Sequence, residues 1–330
     1  MFLAISAISE DDPAEKWQEL FNRYWPNYQK WFLSEGYRAR PGYLTCLEAL
    51  EAHMPELLPV YQRLCELTGG DDLSARFLSL YNPPPYLSGC SQVAWTKGRN
   101  ALIRNYDYSS RLFDGIFMKT NWVKPVMAMT DCMWGVLDGI NGDGLAVSLS
   151  FGGRQVYGEG FGIPLLLRYV LETCSTAQEG AETLQRLPVH MQYNVTLIDK
   201  HGQSYTVFLA PDRPTEILRV PYATNHQHHV EWVEYGNMTH TQERLQFIES
   251  CIWDKEETYY GLLNKFFKPP LYNTDFLKGF GTLYTSVYKP NDGKVDLLWP
   301  HKRISQSFES FREDQWIINL SQGIRGKITT

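Results

Sequence analysis

Cys90 sits in the run Ser88-Gly89-Cys90-Ser91, and Arg104-Asn105-Tyr106-Asp107 follows downstream. A thiol, a guanidinium and a carboxylate are the parts of a cysteine nucleophile: the thiolate attacks, positive charge lowers its pKa, and an acid orients the base that takes its proton. Tyr86 to Tyr108 reads as a loop, a short strand from Cys90, a turn at Lys97 to Asn100 and a second strand from Ala101 to about Asp107. Gly98 among polar residues, with β-formers on both sides, marks the turn. With Gly98 and Arg99 as a two-residue turn, Thr96 faces Ala101 and Cys90 falls opposite Asp107. Facing residues have Cβ atoms about 5 Å apart, so one carboxylate is in reach of the thiol and of its backbone nitrogen. On a regular hairpin Arg104 and Asp107 face opposite sides, and both reach one site only through a bulge. Taken alone, a strand cysteine is a small buried hydrophobe. Gly89, Ser91 and the stiff lead-in Pro83-Pro84-Pro85 argue instead for an accessible bond ahead of a nucleophile.

Ser88-Gly89-Cys90-Ser91 followed by Arg104-Asn105-x-Asp107 resembles the acyl-coenzyme A:6-aminopenicillanate acyltransferase family (isopenicillin N acyltransferase, peptidase C45). That family is close kin of the choloylglycine hydrolases among the N-terminal-nucleophile (Ntn) hydrolases. The resemblance implies that the precursor cuts itself between Gly89 and Cys90 and that the freed Cys90 is catalytic, with its own α-amine as base. Asp107 would orient that amine and Arg104 would lower the thiol pKa. Asn225, in Thr224-Asn225-His226 after a strand, matches the asparagine on the substrate carbonyl, an oxyanion donor; read without the family it is a loop cap. Arg244 resembles the family's downstream site arginine, with a surface salt bridge as the alternative. Ser150 stands where relatives carry Asn, so a second oxyanion donor falls to Ser150 or to backbone amides near Phe151-Gly152-Gly153. Phe151 and Tyr106 are expected at the substrate. The implied reaction is hydrolysis or acyl transfer of a linear, non-peptide amide C–N bond through a Cys90 thioester. Two other readings stay open: an unprocessed Cys-His hydrolase using His190 or His226, and a catalytically silent binding protein of the same fold.

Around this stretch, the chain reads as a helical N-terminal region followed by hairpins. Asp12-Pro13 opens one helix, Tyr43 to Leu67 forms a second run, and Gly69-Gly70 stops it. Met133 to Ile140 and Gly144 to Phe151 flank Asn141-Gly142-Asp143-Gly144, a strong hairpin signal. A helix from Pro164, a second with a capping box at Ser175 and Gln178, strands at Tyr193 to Asp199, Ser204 to Leu209 and Glu216 to Val220, a helix at Thr241 to Trp253 and a last hairpin at Gly281 to Trp299 complete it; the tail after Arg303 is mixed and polar. Hairpins separated by helix pairs predict an α+β fold of antiparallel sheets with helices outside. The resemblance sharpens this to a four-layered αββα sandwich, with residues 1–89 as a helical segment that is cleaved but retained and 90–330 as the catalytic segment.

Composition narrows the partners. A net charge of -6 and a pI near 5.8 leave no basic footprint for nucleic acid, and no apolar run reaches a membrane span. Met1 to Ile8 lacks a basic flank and runs into Glu10, Asp11 and Asp12, unlike a secretory signal. Six scattered cysteines make no disulfide framework, and the expected compartment is cytoplasmic. His226, His228 and His229 lack a matching ligand cluster, so neither metal nor cofactor is called for. The expected partners are a small-molecule amide or acyl donor and the two fragments of the precursor, with a homo-oligomer left open.

Overall fold

Strands that are buried along their whole length but alternate apolar with polar residues need apolar cover on one side and polar partners on the other. That is the condition of the strands carrying Cys90 and Arg104. The computed structural model describes residues 1–276 and 280–321. Its strands are β1 (Phe2–Glu10), β2 (Gly89–Trp95), β3 (Ala101–Tyr108), β4 (Ile116–Asn121), β5 (Pro125–Asp131), β6 (Gly135–Asn141), β7 (Leu145–Phe151), β8 (Tyr193–Asp199), β9 (Ser204–Leu209), β10 (Glu216–Leu218), β11 (Tyr222–Ala223), β12 (Gly281–Lys289), β13 (Lys294–Trp299), β14 (Lys302–Ser307) and β15 (Asp314–Asn319). Its helices are α1 (Glu15–Phe32), α2 (Tyr43–His53), α3 (Leu58–Leu67), α4 (Asp72–Leu78), α5 (Ile163–Thr173), α6 (Ala177–Arg186), α7 (Val233–Thr239), α8 (Thr241–Trp253) and α9 (Tyr259–Lys265).

Two sheets form, in the orders β10-β9-β8-β7-β6-β5-β4-β1-β15 and β11-β2-β3-β12-β13-β14. All neighbouring pairs are antiparallel except β1 with β4. α5 and α6 cover the outer face of the larger sheet. α8 and α9 cover the smaller one, closing a second core of Val93, Trp95, Ile103, Ile248, Leu262 and Phe266. The architecture is the expected αββα sandwich, and its middle layer is polar where β2 and β3 face β7 and β8. There Ser148 Oγ donates to Gln92 Oε1 at 2.6 Å, and Arg104 Nε donates to the Leu149 carbonyl at 3.0 Å.

Several local expectations are corrected. The N-terminal segment is not wholly helical, because β1 lies between β4 and β15. Its signal is the period-2 alternation of buried Leu3, Ile5 and Ala7 with exposed Phe2 and Ala4. α1 starts at Glu15, after the expected Asp12-Pro13. The Glu10 carboxylate at the end of β1 accepts the Ala14, Lys16 and Trp17 amides at 2.9 to 3.1 Å and caps the helix from outside. The second helical run breaks at Met54-Pro55, because proline cannot continue the hydrogen-bond ladder. The capping box lies one residue later, with Thr176 Oγ1 on the Glu179 amide and the Glu179 carboxylate on the Ser175 amide. The tail after Arg303 forms β15 within the larger sheet, while residues 322–330 lie outside the described residues.

Glu10 satisfies three amides with one side chain, so Glu10→Ala should lower the free energy of unfolding by about 1–2 kcal/mol, the scale of a lost helix cap. Urea titration of the two proteins measures it, and an unchanged midpoint contradicts the assignment.

Candidate active site

The hairpin that carries Cys90 has a longer turn than expected. Trp95 pairs with Ala101, so residues 96–100 form the loop, and the register moves by one: Cys90 faces Tyr106, and Asp107 faces Gly89. β2 and β3 pair without a break, and the irregularity sits on the third strand, at Leu283 of β12. Arg104 and Asp107 therefore lie on opposite faces of β3. No bulge is needed for both to flank the Gly89–Cys90 peptide, because the Cys90 thiol shares one face with Arg104 while Asp107 lies on the other face, opposite Gly89.

On the inner face, Arg104 Nη2 donates to Cys90 Sγ at 3.1 Å, and Ser88 Oγ lies 3.8 Å from the same sulfur. The guanidinium has no exposed atoms. It is ion-paired to Asp138 on β6, donates to the hydroxyl of Tyr284, and lies over the ring of Tyr106 with its central carbon 4.6 Å from the centroid. Asp138 in turn accepts from the Tyr284 and Tyr288 hydroxyls at 2.6 and 2.5 Å. Burial pushes the Cys90 thiol up, and Arg104 pulls the other way without overcoming it.

On the outer face, Asp107 accepts from Thr282 Oγ1 at 2.6 Å and lies 3.9 Å from Arg244 Nη1. Burial raises its pKa to about 6, with Arg244 and Thr282 opposing the shift. A Cβ at Gly89 would stand 2.4 Å from Phe280 Cζ and 3.2 Å from Asp107 Cβ, so a larger residue there would have to displace the Phe280 ring.

The downstream candidates converge on the same peptide. Asn225 Oδ1 accepts the Cys90 amide at 2.9 Å, and its Nδ2 donates to the Ser88 and Phe151 carbonyls at 3.0 and 3.2 Å. Arg244 is buried, contrary to a surface salt bridge, and donates to the Cys90 carbonyl at 2.5 Å, Ser91 Oγ at 2.9 Å and Asn225 Oδ1 at 2.7 Å. Tyr235 on α7 adds a hydroxyl on the Ser88 carbonyl at 2.7 Å.

The remaining candidates have these partners in the structure. The Ser150 hydroxyl is committed to the Thr224 carbonyl at 2.7 Å, and the Gly152 amide to the Gln192 carbonyl at 3.0 Å, so neither is free for an oxyanion. Gly153, at φ 88°, serves packing instead, since a Cβ there would lie 2.5 Å from the Asn225 carbonyl. Phe151 is buried against Tyr193 and Tyr235, and Tyr106 against Arg104 with its hydroxyl bonded to Tyr86. His190 Nδ1 is on the Gly158 carbonyl at 2.6 Å, and His226 Nδ1 is on Thr241 Oγ1 at 2.9 Å, and neither contact involves the thiol. Among the described residues, no three His, Cys, Asp or Glu side chains are placed to hold a metal. Asp138, Tyr284, Tyr288 and Tyr235 were not among the expected residues. The readable signal was a carboxylate inside the apolar run Gly135-Val136-Leu137-Asp138.

A cleft of about 590 Å³ opens beside the lead-in, walled by Tyr24, Trp31, Leu87, Tyr108 and Phe113 among others. On its floor the Tyr28 hydroxyl lies 2.5 Å from Asp114 Oδ2 and 2.7 Å from Asp131 Oδ1. One phenolic proton cannot serve both carboxylates, so one of the two acids keeps its own proton. Burial raises both pKa values, that of Asp131 to about 6 from 3.8, with the Tyr28 hydrogen bond opposing. Raised in the folded state, the Asp131 carboxyl binds more protons there than in the unfolded chain, so its contribution to stability falls as pH rises from about 4 to about 6 and is level above. Asp131→Asn should remove up to about 3 kcal/mol of that fall, the equivalent of two pKa units. Urea titrations at pH 4 and pH 7 check this, and an equal pH dependence in both proteins contradicts it.

The chain is similar to several known proteins. Conjugated bile acid hydrolase from Clostridium perfringens shares 13% identity, covering 70% of this chain and 96% of its own, with a TM-score of 0.47. Penicillin V acylase from Agrobacterium tumefaciens shares 13%, covering 71% and 86%, at 0.44. The Caenorhabditis elegans N-acylethanolamine-hydrolyzing acid amidase ortholog shares 16%, covering 70% and 100%, at 0.47. No curated protein sequence matches the chain. The family model "Acyl-coenzyme A:6-aminopenicillanic acid acyl-transferase" matches residues 95–303, a span that opens just after Cys90 and includes Arg104, Asp107, Asn225 and Arg244. That span exceeds half the sequence, and the chain belongs to the acyl-coenzyme A:6-aminopenicillanic acid acyl-transferase family.

Proposed function

We propose that this protein is a self-processing cysteine amidohydrolase or acyltransferase of the Ntn type, which cuts its own Gly89–Cys90 bond and then acts on linear amides through a Cys90 thioester. The observation that carries the reading is the enclosure of that one peptide: Arg104 on the sulfur, Asn225 on the Cys90 amide, Arg244 on the Cys90 carbonyl and Asp107 against Gly89.

In self-processing, Cys90 Sγ attacks the Gly89 carbonyl carbon. The C–N bond to Cys90 breaks, the thiol proton ends on the departing nitrogen, and Gly89 is left as a thioester on Sγ. Water then hydrolyses that thioester to a Gly89 carboxylate and a free thiol. The new α-amine, whose ordinary pKa is about 8, becomes the base for later turnovers. Asp107 holds it by charge and hydrogen bonding.

In turnover the thiolate attacks the carbonyl of a bound amide, and the amine leaves. Cleavage also releases Asn225 Nδ2 from the Ser88 carbonyl, so the same donor meets the substrate oxyanion. Arg244 on Asn225 Oδ1 polarises the amide and strengthens its N–H groups as donors. Water or an amine then takes the acyl group. The aromatic cleft supports an apolar or aromatic acyl group, and Tyr86 and Leu87, which line it, belong to the segment ahead of the cut. β1 is hydrogen-bonded on both sides within the larger sheet, which supports residues 1–89 staying bound to 90–330 after cleavage.

Two substitutions test the roles, assayed on a panel of chromogenic N-acyl p-nitroanilides. Asp107→Asn keeps shape and should lower kcat/KM by at least about 100-fold, the scale of general-base assistance, with a melting temperature at or above that of the parent, since burial of this carboxylate is unfavourable. Asn225→Ala should lower kcat by about 100- to 1000-fold, the scale of one lost oxyanion donor. Turnover near the parental rate in either variant removes that residue from the reaction.

A further inference from the structure

Asn225 lies in an irregular loop, yet its side chain must be placed to within a fraction of an ångström for the role assigned to it. The segment Thr224-Asn225-His226 follows β11 and is fastened at three points. Asn194 Nδ2 on β8 donates to the Thr224 and His226 carbonyls, each at 3.0 Å, and Ser150 Oγ on β7 donates to the Thr224 carbonyl at 2.7 Å. These hold the residues on either side. The main chain of Asn225 itself is held from the opposite side, where its amide donates to Thr241 Oγ1 at 2.7 Å.

Thr241 is the first residue of α8, and it is fully buried. Its hydroxyl is saturated. It accepts the Asn225 amide, lies 2.9 Å from His226 Nδ1, and donates to Thr224 Oγ1 at 2.9 Å, whose own proton goes to the Thr241 carbonyl at 3.0 Å. Residues three apart on a helix share a face, and three residues on is Arg244, whose Nη2 donates to Asn225 Oδ1 at 2.7 Å. One turn of α8 thus grips Asn225 at both ends, the main-chain amide through a hydroxyl and the side-chain oxygen through a guanidinium. A helix start that only needed its own amides capped would use neither contact.

We infer that Thr241 is a positioning residue for the reaction: its hydroxyl sets the Asn225 main chain so that the side-chain amide lies against the reacting carbonyl. The inference rests on the oxyanion role proposed for Asn225 and fails separately from it. Valine matches threonine in shape but accepts no hydrogen bond, and would leave the buried Asn225 amide without a partner. Serine restores the acceptor.

The test compares Thr241→Val, Thr241→Ser and Asn225→Ala with the parent, following p-nitroanilide turnover per folded enzyme and the rate of cleavage after Gly89. Thr241→Val should lower kcat by about 10-fold or more, with KM within about 2-fold of the parent, because the ground-state pocket is untouched while the transition-state donor is displaced. Thr241→Ser should recover most of that loss. A role confined to stability predicts a lower melting temperature with parental kcat in the folded fraction, and that result overturns the inference. So does a serine variant as slow as valine. If the valine protein does not fold, Thr241→Cys takes its place with the same expectation, since sulfur is a weak acceptor. Parental turnover in Asn225→Ala would instead overturn the role of Asn225 and, with it, any task for Thr241.

Discussion

A guanidinium buried between two sheets must be surrounded by acceptors, because an unpaired charge in that environment costs several kcal/mol. Arg104 meets the condition with a carboxylate from β6, a carbonyl from β7, a hydroxyl from β12 and the sulfur of Cys90. Four strands from both sheets must therefore stand in fixed relation for the charge to be tolerated at all. The thiol is one of its acceptors, and it inherits that precision. The polar layer of Gln92, Ser148 and Asp138 follows from the same requirement, and so does the placement of Tyr284 and Tyr288 with their hydroxyls inward.

The second constraint is geometric. β2 offers its side chain at Cys90 to the interior, while the peptide linking Gly89 to Cys90 runs in the plane of the smaller sheet near its edge, beside the short β11. The inner face supplies the charge on sulfur. The outer face and the edge supply Asp107, Asn225 and Arg244, which address the main chain. The thiol and the α-nitrogen of Cys90 are approached from different directions, which the proposed use of both in one reaction requires.

Legibility from sequence followed the range of the interactions involved. The turn between β6 and β7, the strands Tyr193–Asp199 and Ser204–Leu209 and the helix Thr241–Trp253 are set by neighbours in the chain, and they stand where the residue pattern puts them. The family motif likewise marked Cys90, Arg104, Asp107, Asn225 and Arg244, which converge in space. The hairpin register was missed by one residue because the loop has five residues where Gly98 suggested two, and a single-residue slip exchanges which partner faces Cys90. The cap on α1 was missed because Glu10 belongs to the preceding strand. Tyr235 and Thr241 were illegible for a stronger reason: they act on residues 147 and 16 positions away, and nothing local distinguishes them from core or loop; Asp138 acts 34 positions away, and only its charge inside an apolar run sets it apart.

The central claim is that the enclosed peptide is a bond made to be broken by its own thiol. Intact-mass measurement of the purified 330-residue chain, kept cold and then warmed, tests it directly beside Cys90→Ala. The account predicts that the parent converts with time into two fragments, one ending at Gly89 and one beginning at Cys90, which remain associated under native conditions, while Cys90→Ala stays a single chain of undiminished length. A parent that remains one 38.2 kDa chain after warming, or a Cys90→Ala variant that is cut at the same bond, would contradict it.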